Sequence, residues 1–249
     1  MKSLSYKEGF LHRFVGFSES FPEQVAIRHL DTEEDTVTYR ELRIKAEACN
    51  GTLTALGVLP GDKVALVLPN GVAFIAYYLA IIGRGAIPVI LNCKLTPFEM
   101  NSVVSLARPT LVVTTETLWG QHSEVFQPDN GVRHSLVLNG GSEPSSPLPA
   151  NATAASELPR QLEPLSLPDG NPIVSVQFTY RGLGRPLAVS HRYLDLTQSS
   201  DGLHEHFHRQ GVGSVHLVTL PLYAIFGLSV MMVFPLSVGA TLLLSLIHI

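Results

Sequence analysis

The sequence predicts an α/β protein in which mostly parallel sheets are flanked by helices. Short apolar runs of strand length, such as residues 63–68 (KVALVL), alternate along the chain with helical patterns of ten or so residues. This alternation is typical of β-α-β units, whose strands are parallel. Hydrophobic residues make up 45% of the 249 residues and charged residues only 15%, so the chain has enough apolar side chains for a sizeable core.

The first elements begin with a predicted hairpin. Residues 25–30 and 36–39 have strand character and flank the polar turn at 31–35. Thr38 and Glu41 have the spacing of a capping box, in which each side chain bonds to the backbone of the other residue at the start of a helix. The helix should bury one face, because apolar side chains recur at steps of three and four, at Leu42, Ala46, Cys49, Leu53 and Leu56.

The remaining elements continue the alternation of strand and helix. Beyond strand 63–68, the patterns predict a buried helix at 72–82, a strand at 87–91, a second capped helix at 96–106 and a strand at 110–114. Residues 139–172 hold seven of the 17 prolines and show no periodicity, so we expect a loop or linker there. The last predicted elements are strand 173–179, helix 190–207, strand 215–219, helix 225–234 and strand 240–244.

Charge, cysteine spacing and the N-terminal residues give no indication of a nucleic-acid-binding, metal-binding or secreted protein. The net charge of −4 and the lack of a basic run give no reason to expect a nucleic-acid partner. Cys49 and Cys93 have neither C-x-x-C nor metal-ligand spacing, so we expect both to be buried, reduced thiols. The first residues lack the continuous apolar stretch of a signal peptide. We therefore expect a cytoplasmic protein.

The C-terminal stretch allows two interpretations. Residues 211–249 contain no Asp, Glu, Lys or Arg, and an apolar run of this length is a formal candidate for a membrane span. Its prolines and glycines divide it into pieces of strand or short-helix length, which favours a buried strand–helix–strand unit. These residues are Pro221, Gly227, Pro235 and Gly239. We therefore expect no stable membrane span.

One short motif matches a metal-binding pattern. Residues 204–208 (HEHFH) satisfy the H-E-x-x-H pattern of zinc peptidases, which places His204 and His208 one helical turn apart. No spacing in the sequence supplies a third ligand. We expect the polar end of a helix here and no metal site.

The most informative stretch is the glycine-containing loop after strand 173–178, within residues 178–191 (FTYRGLGRPLAVSH). A strand, a glycine-punctuated loop and then a helix form a common phosphate cradle, because glycine lets backbone N–H groups approach the anion and a helix N-terminus adds partial positive charge. The loop has neither the spacing of a P-loop nor that of a dinucleotide-binding fingerprint. It therefore predicts an anion site of another kind.

This loop resembles the signature loop of the adenylate-forming superfamily, which includes acyl-CoA synthetases, luciferases and the adenylation domains of peptide synthetases. The typical loop reads aromatic-Thr-Ser-Gly-Thr-Thr-Gly-x-Pro-Lys-Gly, and matching positions are held here by Phe178, Thr179, Gly184, Pro186 and Val189. Three further blocks resemble the family in the right order: 38–42 with 57–65, 79–96, and 220–227. The resemblance implies the N-terminal part of the adenylate-forming enzyme fold, truncated.

The loop departs from the family pattern at its polar centre. Tyr180 stands for the serine, Arg181 for a glycine, Gly182 and Leu183 for the threonines, and Leu187 for the lysine. Leu187 cannot contact a phosphate by charge, whereas Arg181 and Arg185 could supply the missing positive charge. The resemblance implies that the phosphates of ATP bind at Thr179, Arg181, Gly182, Gly184 and Arg185. The opposite interpretation is that the loop no longer binds ATP and remains only as a connection.

The resemblance also implies an acid-binding block at residues 220–227 (LPLYAIFG), where Tyr223 and Phe226 would line the acyl pocket. Ala224 stands where the family usually has a histidine. The alternative to an acid pocket is that this segment is only the packed start of a helix. The implied function is that of an ATP-dependent, AMP-forming acyl-CoA synthetase-like ligase. It would activate a carboxylic acid, expected to be a fatty acid, as an acyl-adenylate with Mg²⁺ and transfer the acyl group to CoA. The alternative is a non-catalytic scaffold or acyl-binding module with a degenerate ATP loop.

No catalytic residue is assigned, because the later family motifs (an adenine loop, a ribose-binding aspartate, a hinge and a catalytic lysine) do not follow. We expect a fragment of a longer enzyme. We divide it into a first α/β subdomain (1–138), a loop or linker (139–172), a second α/β segment (173–243) and a non-native tail (244–249) that resembles a translated sequencing adapter. The last core strand is expected to lack neighbours and to expose its edge.

Overall fold

The computed structural model describes residues 9–30, 36–139, 150–158, 161–180, 186–207 and 210–245. Its strands are β1 (Val25–His29), β2 (Thr36–Thr38), β3 (Lys63–Val67), β4 (Ile87–Ile90), β5 (Leu111–Thr115), β6 (His134–Leu138), β7 (Ala152–Ala154), β8 (Ile173–Tyr180), β9 (Pro186–Arg192), β10 (Val215–Val218) and β11 (Thr241–Leu244). Its longer helices are α1 (Phe10–Ser20), α2 (Tyr39–Ala55), α3 (Val72–Gly83), α4 (Pro97–Ala107), α5 (Glu116–His122) and α6 (Tyr193–His206).

The larger sheet has seven strands in the order β7-β6-β5-β3-β4-β8-β9. Every neighbouring pair is parallel except β8 and β9, which are antiparallel. The prediction of a mostly parallel α/β fold is confirmed. From β3 the chain passes to β4 on one side and then returns to β5 on the other side, so the strand order reverses between β3 and β5. In sheets of this kind, ligands commonly bind at the carboxyl ends of the strands next to such a reversal.

The smaller sheet has the order β10-β11-β1-β2. The predicted hairpin is confirmed, because β1 and β2 pair antiparallel. Strand β11 lies between β10 and β1 and pairs parallel with both. The expectation that the last strand lacks neighbours is therefore wrong. The edge strands of this sheet are β10 and β2, and on β10 the apolar side chains of Val215 and Leu217 are exposed.

Each sheet combines strands that are distant in sequence. In the smaller sheet, β1 pairs with β11, and in the larger sheet β4 pairs with β8. Residues 1–138 and 173–243 therefore both contribute to each sheet. Leu244, which we expected to belong to the non-native tail, is the last residue of β11 and is buried.

Both predicted capping boxes are present. The Thr38 hydroxyl accepts from the Glu41 N–H at 3.2 Å, and the Glu41 carboxylate accepts from the Thr38 N–H at 2.8 Å. Thr96 and Glu99 repeat the arrangement at the start of α4. These hydrogen bonds lower the pKa of the two glutamates. The caps define where α2 and α4 begin.

The core lies on both faces of the seven-stranded sheet. In β3, Val64 and Leu66 belong to the core on one face, and Ala65 and Val67 belong to the core on the other. A strand that is buried on both faces has a continuous apolar sequence, as residues 63–68 do. Helix α3 is buried from Phe74 to Gly83, which explains why its sequence is almost wholly apolar.

The stretch predicted as a loop or linker has structure of its own. Strand β7 pairs parallel with β6 at the edge of the larger sheet. Residues 161–168 then pack across α2 and α3, where the Asn50 side chain donates to the carbonyl oxygen of Pro164 at 3.0 Å. The Ser166 N–H donates to the carbonyl oxygen of Gly83 at 2.8 Å. We call residues 161–168 the strap.

The C-terminal apolar stretch forms the strand–helix–strand unit that its punctuation favoured. Most of it is buried from Gly227 to Ser245, whereas Val215, Leu217, Ile225 and Phe226 are exposed. After β10, the chain enters α7 (Ile225–Leu228), a π-helical turn (Ser229–Val233) and α8 (Phe234–Ser237), and then β11. The helical run ends three residues later than predicted. Among the helices that the structure describes, none is long and apolar enough to cross a membrane.

Candidate functional site

The candidate phosphate loop follows the carboxyl end of β8. Thr179 lies at that end, exposed, and pairs with Leu187 of β9. Arg181, Gly182, Gly184 and Arg185 lie outside the described residues. The structure therefore places the two strands that border the loop, and the roles of the loop residues stay predictions.

The element after the loop differs from the prediction. A helix was expected at 190–207, but the chain first forms β9, and α6 begins only at Tyr193. The reason is pairing: residues 186–192 complete an antiparallel ladder with β8, which satisfies their backbone groups as a strand. No helix N-terminus follows the loop directly, so the helix-dipole part of the predicted phosphate cradle is wrong.

Leu187, at the position of the family lysine, is 46% exposed. Its neighbours Ala188, Val189 and Ser190 are exposed as well, although β9 is an edge strand with few charged residues. Leu187 is thus not packed inward as a core residue would be. Strand β9 begins at Pro186, the first described residue after the candidate phosphate loop.

The predicted acid-binding block lies against β8. The Gln177 side-chain amide donates to the carbonyl oxygen of Tyr223 at 2.8 Å. Gln177 is buried, two residues before Thr179. This hydrogen bond brings two separately predicted regions together at one edge of the larger sheet: the strand that leads into the phosphate loop, and the segment that contains the candidate acid-pocket residues.

Tyr223 and Cys93 lie close to each other at this edge. Burial raises the pKa of Tyr223, and the neighbouring Cys93 raises it further. Burial also raises the pKa of the Cys93 thiol. Both groups are therefore neutral near pH 7, when Tyr223 can donate a hydrogen bond and neither group is a ready anionic base or nucleophile.

Phe226 and Ala224 occupy different positions around the start of α7. The Phe226 side chain is 53% exposed, and Ala224 is the N-cap residue, half-buried. Ala224 also donates its N–H to the carbonyl oxygen of Pro221 at 3.1 Å. The wall expected from Tyr223 and Phe226 thus consists of one partly buried ring and one exposed ring, and their contact with an acid stays a prediction.

A cavity of about 440 Å³ lies at the reversal in strand order. Its lining comes from the segment between β3 and α3, including Asn70, from the start of α5, and from Leu138 and Asn139 at the end of β6. The walls are mixed apolar and polar, as in small-molecule sites. Its position agrees with the rule that open α/β sheets bind ligands beyond the carboxyl ends of their strands.

The first three residues of the H-E-x-x-H motif, 204–206, lie on the last turn of α6. His204 is within the helix, whereas His208 lies outside the described residues. In the parts of the chain that are described, no three His, Cys, Asp or Glu side chains form a group that could hold a metal ion.

Three residues of this region were missed from the sequence: Asn70, Gln177 and Cys93. Gln177 is a polar residue inside the apolar run of β8, which was the available signal. Asn70 follows Pro69 and precedes Gly71, a pattern that indicates a turn but not its partner. Cys93 had no signal beyond being a lone cysteine.

Comparison with known families agrees with the geometry. The family model described as "AMP-binding enzyme" matches residues 15–246. The chain belongs to this family. Strands β8 and β9, the candidate phosphate loop and the acid-binding block all lie within the matched region. The adenylate-forming resemblance recognised in the sequence is therefore confirmed, as an acyl-CoA synthetase-like N-terminal domain.

Two relatives align over most of this AMP-binding chain. Benzoate–CoA ligase of Thauera aromatica is 26% identical over 216 residues, covering 83% of this chain and 38% of the ligase. The 4-coumarate–CoA ligase 1 of Arabidopsis thaliana is 27% identical over 218 residues, with the same two coverages of 83% and 38%. This chain thus spans less than half the length of either ligase.

A solved structure confirms the fold. A protein described as a long-chain-fatty-acid CoA ligase from Rhodopseudomonas palustris superposes with a TM-score of 0.81 at 22% identity, over 97% of this chain and 58% of that one. At this identity the similarity concerns the fold alone. The fold of this chain is that of the N-terminal domain of adenylate-forming enzymes.

Proposed function

We propose that this chain provides the N-terminal part of an ATP-dependent ligase that activates a carboxylic acid as its acyl-adenylate, with release of pyrophosphate. CoA would then accept the acyl group. The substrate class we propose is a fatty acid, with aryl acids as the main competitors because two relatives are named for aryl acids. A cytoplasmic location accords with the composition.

The hydrogen bond from Gln177 to Tyr223 is the observation that carries the proposal. Adenylation requires the carboxylate of the acid to attack the α-phosphorus of ATP, so the two substrates must meet within van der Waals distance. Gln177 holds the candidate acid block beside the strand that leads into the candidate phosphate loop. Acid and nucleotide would therefore bind at the same edge of one sheet.

The loop residues would neutralise and orient the triphosphate. Thr179 offers a hydroxyl, Gly182 and Gly184 allow backbone N–H groups to approach, and Arg181 and Arg185 supply two positive charges. Mg²⁺ bound with ATP would shield phosphate charge during attack. No residue of the chain is proposed as an acid or base, because a carboxylate is already a nucleophile and pyrophosphate is a good leaving group.

Coverage of the relatives supports the idea that further sequence completes the enzyme. The alignments reach 38% of each aligned ligase. We therefore propose that the adenine, ribose and thiol sites need residues beyond those aligned here. The 249 residues alone should bind parts of the substrates but should not complete the reaction.

A second candidate is a non-catalytic acyl-binding module. The observation that favours it is Leu187, which stands in the place of the family lysine and has no charge. Leu187 lies in the edge strand β9 and not in the loop, so its exposure does not distinguish the two candidates. The two candidates differ in one consequence, which is whether ATP is consumed.

The test is acid-dependent ATP–pyrophosphate exchange by the natural full-length protein, with benzoate, 4-coumarate and dodecanoate as probes. The ligase predicts exchange with at least one acid and none without acid. Calorimetric binding of an acid by folded protein that shows no exchange would identify the acyl-binding module. Exchange independent of every acid would overturn both.

A further inference from the structure

The segment between β3 and α3 contacts the acid block through one side chain. The Asn70 side-chain nitrogen Nδ2 donates to the carbonyl oxygen of Leu220 at 3.0 Å. The Asn70 side-chain oxygen Oδ1 accepts from the N–H of Leu222 at 2.8 Å. One amide thus satisfies a backbone donor and a backbone acceptor of a segment 150 residues later in the chain.

Of the two groups that Asn70 contacts, the Leu222 N–H needs a partner from outside its own segment, whereas Leu220 is exposed to water. Leu220 and Leu222 lie between β10 and α7, outside every helix and strand. Leu222 is buried, and its N–H is a donor that would otherwise be withdrawn from water. Pro221, between them, has no N–H and restricts the backbone. The side chain of Asn70 therefore replaces the regular pairing that a strand would provide.

Asn70 is well placed to hold this segment, because both of its flanks are rigid. Strand β3 before it and helix α3 after it are buried in the core. On the other side of the segment, Gln177 donates to Tyr223 from β8. The side-chain amides of Asn70 and Gln177 thus hydrogen-bond to the two ends of the 220–223 segment.

We propose that Asn70 is a positioning residue that fixes residues 220–223, and with them Tyr223, at the carboxyl edge of the larger sheet. This inference rests on the proposed function insofar as Tyr223 lines the acid pocket. Its physical content is separate from the function: the conformation of the 220–223 segment depends on the Asn70 amide. Asn70 also lines the cavity at the strand reversal, so the same side chain joins that cavity to the acid block.

The first test is amide hydrogen exchange of the 249-residue chain, followed at single residues by NMR. In the wild-type protein the Leu222 N–H should exchange at least about tenfold more slowly than its unstructured rate, because its bond to Asn70 must open first. An unprotected Leu222 N–H would overturn the proposal whether or not any variant folds. This measurement needs no substrate and no activity.

Variants then separate positioning from general stability. Asn70→Ala removes both bonds and should abolish the protection of Leu222 while the amides of β3 keep theirs. Asn70→Asp keeps an oxygen that accepts from Leu222 and should retain protection there. Asn139→Ala is the matched control, since Asn139 is exposed and lines the same cavity. Unchanged protection of Leu222 in a folded Asn70→Ala protein, or equal loss in all three variants, would contradict the proposal.

The second test uses ATP–pyrophosphate exchange by the natural full-length protein. Asn70→Ala should raise the KM for the acid by about tenfold and change the KM for ATP by less than about twofold, because only the acid side of the site is repositioned. Equal effects on both constants would indicate a general structural role. If the wild-type protein exchanges with no acid, the proposed function fails, while the hydrogen-exchange result still decides the role of Asn70.

Discussion

The hydroxyl of Tyr39 donates a hydrogen bond of 2.8 Å to the carbonyl oxygen of Ala240, and both residues are completely buried. Tyr39 begins α2, directly after the N-terminal hairpin, and Ala240 immediately precedes β11. The bond therefore joins the two distant parts of the chain that build the smaller sheet. Burial raises the pKa of Tyr39, so its hydroxyl stays protonated and remains a donor.

Tyr39→Phe should destabilise the protein by about 1–3 kcal/mol, because it leaves the buried oxygen of Ala240 without this donor. Tyr78→Phe is the matched control. Tyr78 is equally buried, but no partner within the described part of the chain reaches its hydroxyl. Because no hydrogen bond is broken, removing the Tyr78 hydroxyl should lower the stability by no more than about 0.5 kcal/mol, or should raise it. Urea unfolding measures the stability of both variants. Equal destabilisation would contradict a stabilising hydrogen bond between Tyr39 and Ala240.

Gly227→Ala should destabilise the acid block. A Cβ at Gly227 would lie 2.1 Å from the carbonyl oxygen of Pro221, so α7 packs directly on the backbone of that segment. Moving the backbone should cost about 1–3 kcal/mol. Gly202→Ala is the control, because Gly202 is also helical but a Cβ there meets no atom within 4 Å. That variant should gain up to about 1 kcal/mol from helix propensity. Thermal unfolding compares the two, and a neutral Gly227→Ala would contradict the packing.

Gly51→Ala should loosen the strap, residues 161–168. A Cβ at Gly51 would lie 2.1 Å from the carbonyl oxygen of Gln161. Displacement should raise the rate of limited proteolysis within the strap several-fold, since cleavage requires local opening. Gly120→Ala, on α5, is the control because its Cβ has open space. Cleavage of the strap at the wild-type rate in Gly51→Ala would show that the strap does not depend on this contact.

Protein stability should fall as the pH falls below about 6.5, the ordinary pKa of histidine. Burial lowers the pKa of His122, which packs against Phe126 with ring centroids 6.0 Å apart. Between the ordinary pKa and the lowered one, the unfolded chain binds more protons than the folded one. Lowering the pH across that window therefore favours unfolding. Above it His122 is neutral in both states and does not make stability depend on pH.

His122→Phe should reduce this dependence by at most about 1.4 kcal/mol per pH unit, the value for one proton. Burial also lowers the pKa of His191 and of His216, so part of the slope should persist. The measurement is urea unfolding between pH 5 and pH 7.5, with Gly202→Ala as a control that changes no titratable group. An unchanged slope in His122→Phe would show that His122 is not a buried neutral base.

Local structure was predictable where a single segment determines it. The capping boxes at Thr38 and Thr96 depend on four consecutive residues each, and both are present. The short apolar run at 63–68 indicated a strand, and β3 is one, buried on both faces. In these cases propensity, pattern and tertiary environment favour the same structure.

Pairing between distant segments was not predictable from periodicity. Nothing in residues 186–192 shows that they pair with β8, and their polar and apolar residues suited either a strand or the start of a helix. Likewise, the position of β11 between β1 and β10 depends on contacts more than 200 residues apart, such as Tyr39 to Ala240. Such contacts override local preference without leaving a local signal.

The candidate site was predictable only in part for the same reason. The resemblance indicated residues 178–191 and 220–227, and the structure places their described parts at one edge of the larger sheet. Gln177 connects residues 220–227 to β8, and Asn70 connects them to the segment between β3 and α3, but neither residue belongs to a motif that the resemblance supplied. Their role follows from backbone groups that lie outside any helix or strand, which only the three-dimensional structure reveals.

The role of residues 181–185 as a phosphate site is tested by acid-dependent ATP–pyrophosphate exchange of the natural full-length protein, compared with the Arg181→Ala/Arg185→Ala double variant. Arg133→Ala, an exposed arginine just before β6, is the control. We expect exchange in the wild type and a change below about twofold in the control. The double variant should lose about 100-fold or more, because two charge-assisted contacts are removed. A folded wild-type protein without exchange, or a double variant as active as the wild type, would contradict the claim that this loop is a working phosphate site.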